Sequence, residues 1–410
     1  MERQAKGSFR TLRICKIYDG DYPWDVRVQK ILFTLIEKGY EVHLVCRNLT
    51  KRPTYEYLDK VHIHRLHYFK HDSINAALSF PAPINPLWLL TIMRVIRENK
   101  ADLVIVRDLP LTLAAILVGR IYGIPIVFDM AEDYPAMVRD IWRFGGLKAV
   151  NLIARNPMIL DAVEALCVRW VNSILTVVEE SKSRLVKQYH IDESKIRIVS
   201  NTPKLHDIHW KQEETGGSDS QDILKLIYIG GLEGGRNLEV VLKGMAISRN
   251  RLNCSLTIVG RGDGETALRR LVDCFNLHGR VFFKGWVEHH SLQEFLTASD
   301  IGVVPHGATI HTNTTVPNKL FDYMAYAKPV LASDTEPVRR IVQSEGCGLI
   351  YRHDSPEDFR EKLMRLADPK MREAMGSSGR KAVEKKYNWE VDSKELLAVL
   401  KDYSRLAIDH

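Results

Sequence analysis

A chain of 410 residues is too long for one ordinary core, so two domains are the starting expectation. Hydrophobic residues at 45% and charged residues at 27% exclude a disordered or fibrous chain, and no apolar run reaches the ~18 residues of a membrane span. A formal net charge of +7 suits an anionic partner, but without a long Lys/Arg block or a recognised nucleic-acid motif, no nucleic acid is expected.

The N-terminal residues hold no apolar stretch long enough for a signal peptide. Cys15, Cys46, Cys167, Cys254, Cys274 and Cys347 are scattered and form no C-x-x-C pair. They read as reduced core residues of a cytoplasmic protein, not as a disulfide framework or a zinc site.

In chain order, a strand over 12–18, a helix over 26–39 and a strand over 40–46 make a βαβ unit, hence a parallel sheet. Strands over 61–67 and 101–108, a helix over 111–123 and a strand over 124–133 continue the pattern. A helical region over 147–172, a strand over 173–178, the helix "EESKSRLVKQY" and a strand over 195–201 follow. The polar, Gly/Ser-rich segment 211–222 reads as a linker. After it the alternation restarts, with strands over 223–231, 254–260, 281–285, 301–305 and 329–333. Helices over 237–249, 265–276, 291–300 and 317–327 lie between them, and helices near 356–368, 370–386 and 390–406 close the chain. The fold class is therefore α/β, with two successive doubly wound, Rossmann-like parallel sheets. Ligands of such sheets sit beyond the carboxyl ends of the strands, and a cleft between two facing domains is the default site.

The stretch "NTTVPNKLFDYMAYAKPVLASD" (313–334) feeds a polar loop into a helix. Pro317 suits the first helical turn, with Thr314 or Thr315 as its cap. Helix-terminal N–H groups and Lys319 then suit a diphosphate, and Asp322, one turn deeper, suits paired ribose hydroxyls. The bland alternative is a capped surface helix with an i,i+3 ion pair. "YIGGLEGGRN" places glycines after a strand and Arg236 at the start of a helix, which favours phosphate approach.

These strings, with "LTIVGRGDGETALRRL", "VFFKGWVEHHSLQEFLTASDIGVVPH" and the run on to "GCGLIY", follow one another as in the family-4 retaining glycosyltransferases of the GT-B fold (glycosyl transferases group 1), which the chain resembles over 223–366 and more loosely in its N-terminal half. The resemblance implies GT-B architecture with two facing domains and an interdomain cleft. An acceptor-binding domain would span 1–205, completed by a helix over about 387–410, and a nucleotide-sugar-binding domain 206–386. It implies Gly230 and Gly231 under the donor diphosphate, Arg236 as the loop cation and Asp322 on the ribose. It also implies Val287 against the base, and Asn313, Thr314 and Thr315 near the sugar and phosphates. Thr314 stands where the family carries an acid, and Ala131 where it often carries a histidine. A saccharide or lipid-linked saccharide acceptor follows, in glycan biosynthesis. No cofactor and no metal is required, because the leaving diphosphate accepts the acceptor proton.

On the acceptor side, Glu132 and Asp133 end a strand, and either bind or polarise an acceptor hydroxyl or cap a helix. Asp25 and Arg27 sit between the first strand and helix, where Arg27 is expected to hold a phosphate, the alternative being a pair with Asp25. "DGD" (19–21) is expected to be a turn rather than a metal motif, "VHIHRLHYFKH" an exposed strand face, and "VGRGDG" a poor dinucleotide loop. The segments 81–100 and 142–157 mix tryptophan, apolar residues and Arg/Lys. Packing on the core is the simpler reading, and peripheral contact with an anionic membrane at its inner face is the alternative. Two rival functions stand beside transfer: a nucleotide-sugar epimerase or hydrolase, and a non-catalytic partner subunit of the same fold.

Overall fold

The computed structural model describes residues 11–23, 25–145, 156–208, 223–288 and 291–406. The expected linker at 211–222 and most of the Trp/Arg segment at 142–157 lie outside them. The chain forms two compact units: Met1–Val138, Leu147–Val199 and Ser393–His410 make one, and Arg139–Gly146 with Ser200–Asp392 the other.

The first unit carries β1 (Arg13–Ile17), β2 (Glu41–Cys46), β3 (Tyr55–Leu58), β4 (Val61–Arg65), β5 (Leu103–Arg107), β6 (Ile126–Asp129), β7 (Ser173–Thr176) and β8 (Ile196–Ile198). They form one sheet in the order β3-β4-β2-β1-β5-β6-β7-β8, parallel except for the edge pair β3/β4. Between the strands run α1 (Val26–Glu37), α2 (Asp72–Leu78), α3 (Pro86–Asn99), α4 (Thr112–Tyr122), α5 (Tyr134–Gly145), α6 (Pro157–Trp170) and α7 (Glu179–Tyr189). The central strands are buried along their length because helical crossovers cover a parallel sheet on its faces.

The second unit has β9 (Leu224–Ile229), β10 (Cys254–Val259), β11 (Val281–Gly285), β12 (Ile301–Val304), β13 (Val330–Ser333) and β14 (Gly348–Tyr351), in the all-parallel order β11-β10-β9-β12-β13-β14. Its helices are α8 (Leu238–Ser248), α9 (Glu265–Cys274), α10 (Leu292–Thr297), α11 (Asn318–Ala325), α12 (Glu336–Glu345), α13 (Pro356–Arg365) and α14 (Pro369–Lys385), followed by α15 (Trp389–Leu406). Tyr228, Leu238, Val241, Leu256, Ile258 and Phe359 lie in its core.

In both sheets the strand order turns back at the first strand. β1 lies between β2 and β5, and β9 between β10 and β12. At such switch points the loops leaving neighbouring strands diverge, and a crevice opens at the carboxyl edge.

Several local expectations change in the folded chain. The strand expected over 124–133 ends at Asp129, because Asp133 turns away to cap α5, its Oδ1 accepting from Ala136 N at 3.1 Å. The four-residue strands β3 and β14 were not foreseen. Segment 81–100 packs on the core: Trp88 is fully buried and donates its indole N–H to Ser79 O at 3.0 Å. Five cysteines are buried thiols, but Cys274 is exposed.

The "VGRGDG" glycines have a backbone reason. Gly260 adopts φ +145°, and a Cβ there would lie 1.9 Å from Gly230 O. A Cβ on Gly262 or Gly264 would likewise meet the Leu232 backbone at 2.7 or 2.3 Å. Leu232 N donates to Arg261 O (3.1 Å) and Gly264 N to Leu232 O (2.8 Å), so the loop after β10 clamps the loop after β9. Gly260→Ala is expected to destabilise the unit by at least about 2 kcal/mol, from backbone overlap and an unfavourable φ. A thermal melt with an unchanged midpoint would refute the clamp.

Candidate functional site

The second unit's crevice is built from the ends of β9 and β12. Tyr228 is fully buried, and its hydroxyl donates to Gly231 O at 2.7 Å, holding the glycine loop against its own strand. Gly230 has φ +140°, a conformation that favours glycine. Its missing side chain leaves room for Lys319, whose Nζ would stand 2.7 Å from a Cβ at that position. Lys319 comes from α11, which is anchored by Tyr323: this ring packs on Gly302 of β12, and its hydroxyl accepts from Ile229 N at 3.0 Å.

Lys319 is therefore not a surface residue of a capped helix. It is 8% exposed, and its Nζ lies 3.9 Å from the centre of the Tyr228 ring. Among the described residues the amine makes no hydrogen bond or ion pair. Burial, then the nearby Arg236, pull it well below the ordinary lysine range against the opposing pull of Glu233 and Asp322. Arg236 is about a third exposed and reaches Glu233 at 3.3 Å. Asp322 is half-buried one turn further along α11.

The loop after β12 adds a residue the sequence reading passed over. His306 is 4% exposed, and its Nδ1 is buried without a hydrogen-bond partner. Burial, then Lys319, Arg236 and His311, hold its imidazole well below the ordinary histidine range. Nothing in "VVPH" marks it, since only the fold brings it beside Lys319.

The rest of the loop is tied down by bonds within itself and to α5. Thr309 donates to Asp140 Oδ2 at 2.7 Å, and Thr312 to Gly307 O at 2.8 Å. Thr314 does not cap α11: its hydroxyl bonds the carbonyls of Ile310 (3.1 Å) and His311 (3.0 Å), and Pro317 occupies the cap. Asn313 Oδ1 instead accepts from Glu336 N at 3.0 Å, at the start of α12. Thr315 and Val287 are half-buried in the loops after β12 and β11.

The first unit's crevice lies at the ends of β1 and β5, and here the sequence expectations need correction. Arg27 holds no external phosphate. It is 1% exposed; its Nη2 and Nε bond Asp129 at 2.7 and 3.0 Å, and its Nη1 reaches Val199 O at 2.8 Å. Lys16 joins the same carboxylate at 2.7 Å. Burial raises Asp129, but Arg27, Lys16 and Arg107 overcome it and hold the carboxyl ionised, well below the usual range. Asp25 caps α1 through Val28 N (2.8 Å) and pairs with Arg107 (2.6 Å) rather than with Arg27. Asp133, besides capping α5, pairs with Arg184 at 3.1 Å, so it too is occupied by the fold.

Glu132 is half-buried and stands among other acids around Arg107. The partner that sequence reading missed is Asp108, at the end of β5. Its backbone sits at φ 56°, ψ 168°, a region nearly restricted to glycine. Burial pushes its carboxyl up to about 7, against the pull of Arg107 and with help from Asp19, Glu132 and Asp129. Of the "DGD" pair, Asp21 accepts backbone N–H groups of Leu49 and Thr50 at 2.8–2.9 Å, which makes it a turn clasp.

The histidines of β4 are not a plain exposed face. His62 and His64 stack with the buried His43, and His43 Nδ1 lies 3.1 Å from His64 Nε2. Among the described residues no group of three or more His, Cys, Asp or Glu is arranged to hold a metal ion. No helix among them is long and apolar enough to cross a membrane.

Comparison with known proteins agrees with this architecture. The family model of group 1 glycosyl transferases matches residues 224–368, and that of Glycosyltransferase Family 4 matches 26–202. The chain is 22% identical to the uncharacterized glycosyltransferase MJ1607 of Methanocaldococcus jannaschii, over 90% of this chain and 91% of that one. Sucrose-phosphate synthase from Thermosynechococcus elongatus superposes with a TM-score of 0.78 at 17% identity, covering 97% of this chain and 100% of the other. Anabaena HepE in complex with UDP-glucose superposes at 0.67 and 12% identity, covering 95% and 100%. With two successive family models spanning both α/β units, the chain belongs to the family-4, group 1 glycosyltransferases of the GT-B fold.

Proposed function

We propose that this glycosyltransferase moves a sugar, with retention, from a nucleotide-diphosphate donor held by the second unit to a saccharide or lipid-linked saccharide acceptor on the first. The observation that carries the reading is the buried amine of Lys319. It lies beside Arg236 and over a glycine cradle at the β9/β12 switch point, and no protein anion pairs with it among the described residues. A buried cation left unpaired is costly, and a diphosphate offsets that cost. The UDP-glucose complex of the structurally similar HepE supports the donor class.

In this reading Gly230 and Gly231 let the diphosphate approach the backbone, and Asp322 accepts from the ribose hydroxyls. Val287 lies against the base, and Asn313, Thr314 and Thr315 shape the sugar end. As the anomeric C–O bond to phosphate breaks, Lys319 and Arg236 stabilise the developing negative charge. A diphosphate oxygen accepts the acceptor's hydroxyl proton while the new C–O bond forms on the same face. No metal is required for this route. Glu132, with Asp108, orients the acceptor hydroxyl.

Asp322→Ala is expected to raise donor KM tenfold or more (about 1.4 kcal/mol) with a smaller effect on kcat. Thermal shift across a panel of nucleotide sugars tests the donor class, since a specific donor raises Tm in the wild type and not in the variant. Donor consumption without any acceptor would instead favour an epimerase or hydrolase.

A second reading concerns the acceptor's setting. Ile74 and Leu78 of α2, Ile84 between the helices and Leu90 of α3 are 47–65% exposed, and Arg94, Arg97 and Lys100, in and just after α3, are exposed too. Such a face suits an anionic membrane surface. Sedimentation with anionic liposomes is expected to be salt-sensitive and lost in Ile84→Asp/Leu90→Asp; no sedimentation at low salt would remove this reading.

A further inference from the structure

The donor site, read as above, holds a titratable group that the proposed transfer does not use. His306 ends the stretch leaving β12, and its main chain is fixed: Ser333 Oγ donates to His306 O at 2.6 Å. The ring is thereby held in the crevice wall with Nδ1 buried and unsatisfied. Buried polar atoms without partners are rare, and each calls for a cause.

The charges facing His306 are Lys319 from α11, Arg236 from the loop after β9, and His311 from its own loop. His311 in turn faces Asp140 of α5 at 3.8 Å, so it already has a counter-charge. Lys319 is faced by Arg236, Glu233 and Asp322. Lys319, Arg236 and His311 thus raise the positive potential at a buried imidazole, and before a donor binds, burial and their repulsion disfavour a proton on His306. A bound dianion reverses the sign of the local potential and gives a new N–H an acceptor.

We propose that His306 takes up a proton from solvent as the donor's diphosphate docks, becoming a third cation beside Lys319 and Arg236 whose added N–H donates to a phosphate oxygen. Donor binding is then proton-linked. The group is protonated more readily with donor bound than without, so affinity is highest at low pH. It falls, by up to about tenfold per pH unit, as pH rises from the donor-free pKa, which lies below the ordinary histidine value, to the higher donor-bound one. His306 acts on the ground-state complex and on the leaving diphosphate alike, since both carry the charge it balances. The inference rests on the donor site assigned above, and its test separates the two.

The experiment is isothermal calorimetry of the full chain with UDP-glucose and, separately, GDP-mannose, at pH 7 in buffers of different ionisation enthalpy. Both are diphosphate diesters that do not titrate near neutrality, so protons counted belong to the protein. For whichever probe binds, the wild type is expected to take up roughly half to one proton. His306→Gln should lose most of that uptake while still binding, and Lys319→Arg should keep it. Binding without uptake, or uptake unchanged in His306→Gln, overturns the role of His306 and leaves the donor site standing. Uptake lost only in Lys319→Arg gives the proton to Lys319 and also overturns it. If neither probe nor any other nucleotide sugar binds, the donor site itself fails and the proposal with it. Should His306→Gln not fold, imidazole 15N shifts of the wild type decide the matter. The His306 ring is expected to pass from neutral to doubly protonated on donor addition at pH 7, and a ring that stays neutral overturns the assignment.

Discussion

Lys319→Met is expected to lower kcat by about 10²–10³-fold while leaving the protein as stable as the wild type or more so. The two effects have one cause. The amine is buried over the Tyr228 ring, 3.9 Å from its centre, in a place that costs free energy until an anion arrives. Methionine fills the same volume without a charge, so the empty protein gains about 1 kcal/mol or more and its Tm rises by a few degrees. The transition state loses a cation where its charge develops. Arg236→Ala should also lower kcat, with no change in Tm, because its guanidinium is already about a third exposed. Steady-state kinetics beside calorimetry decide the point. A Lys319→Met protein that melts much earlier makes the lysine a packing residue, and unchanged kcat in both variants removes the donor assignment.

The second large effect lies in the first unit and concerns folding rather than chemistry. Asp129→Asn is expected to destabilise that unit by about 3–5 kcal/mol, because Lys16 and Arg27 stay buried with their counter-charge gone. For a unit of this size that lowers Tm by roughly 10 °C or more. The same carboxylate predicts acid sensitivity. Its folded-state pKa is depressed, so its contribution is present above the unfolded value of about 3.9 and is lost as pH falls through and below it. Lys16→Met in the Asp129→Asn background should recover part of the loss. Melting curves from pH 7 to 3 check both statements. A wild type with no loss of stability below pH 4, or a variant within about 1 kcal/mol of it, would show that the triad contributes little.

The α/β alternation was legible because each helix and strand writes its period into apolar spacing, as α7 and β11 did residue for residue. β3 and β14 were not: unlike the equally short but buried β7, β12 and β13, these two are largely exposed or half-buried, so no continuous run of buried apolar residues marks them. Capping chemistry was half legible. A threonine before a helix suggests a cap, yet Thr314 bonds carbonyls of its own loop and Pro317 stands at the cap. The choice among nearby donors is made by the path of the backbone.

Site residues divide along the same line. Gly230, Arg236 and Lys319 could be picked out as candidates because glycines after a strand and a basic residue at a helix start carry a local mechanism for binding phosphate, and the fold brings all three to the end of β9. Arg27 and Asp25 were misread because their partners lie far along the chain: Asp129 and Val199 for one, Arg107 for the other. His306 and Asp108 were missed because a lone histidine and a lone aspartate have no pattern.

By itself, then, the sequence determined the alternation of elements, the two sheets and the glycine-and-cation loop, all set by interactions among residues near one another in the chain. The tertiary structure alone decided which buried charges are paired within the fold and which are not. Burial and pairing make that decision: Arg27 is neutralised by a carboxylate 102 residues away, while Lys319 is buried under a glycine loop with no such partner among the described residues.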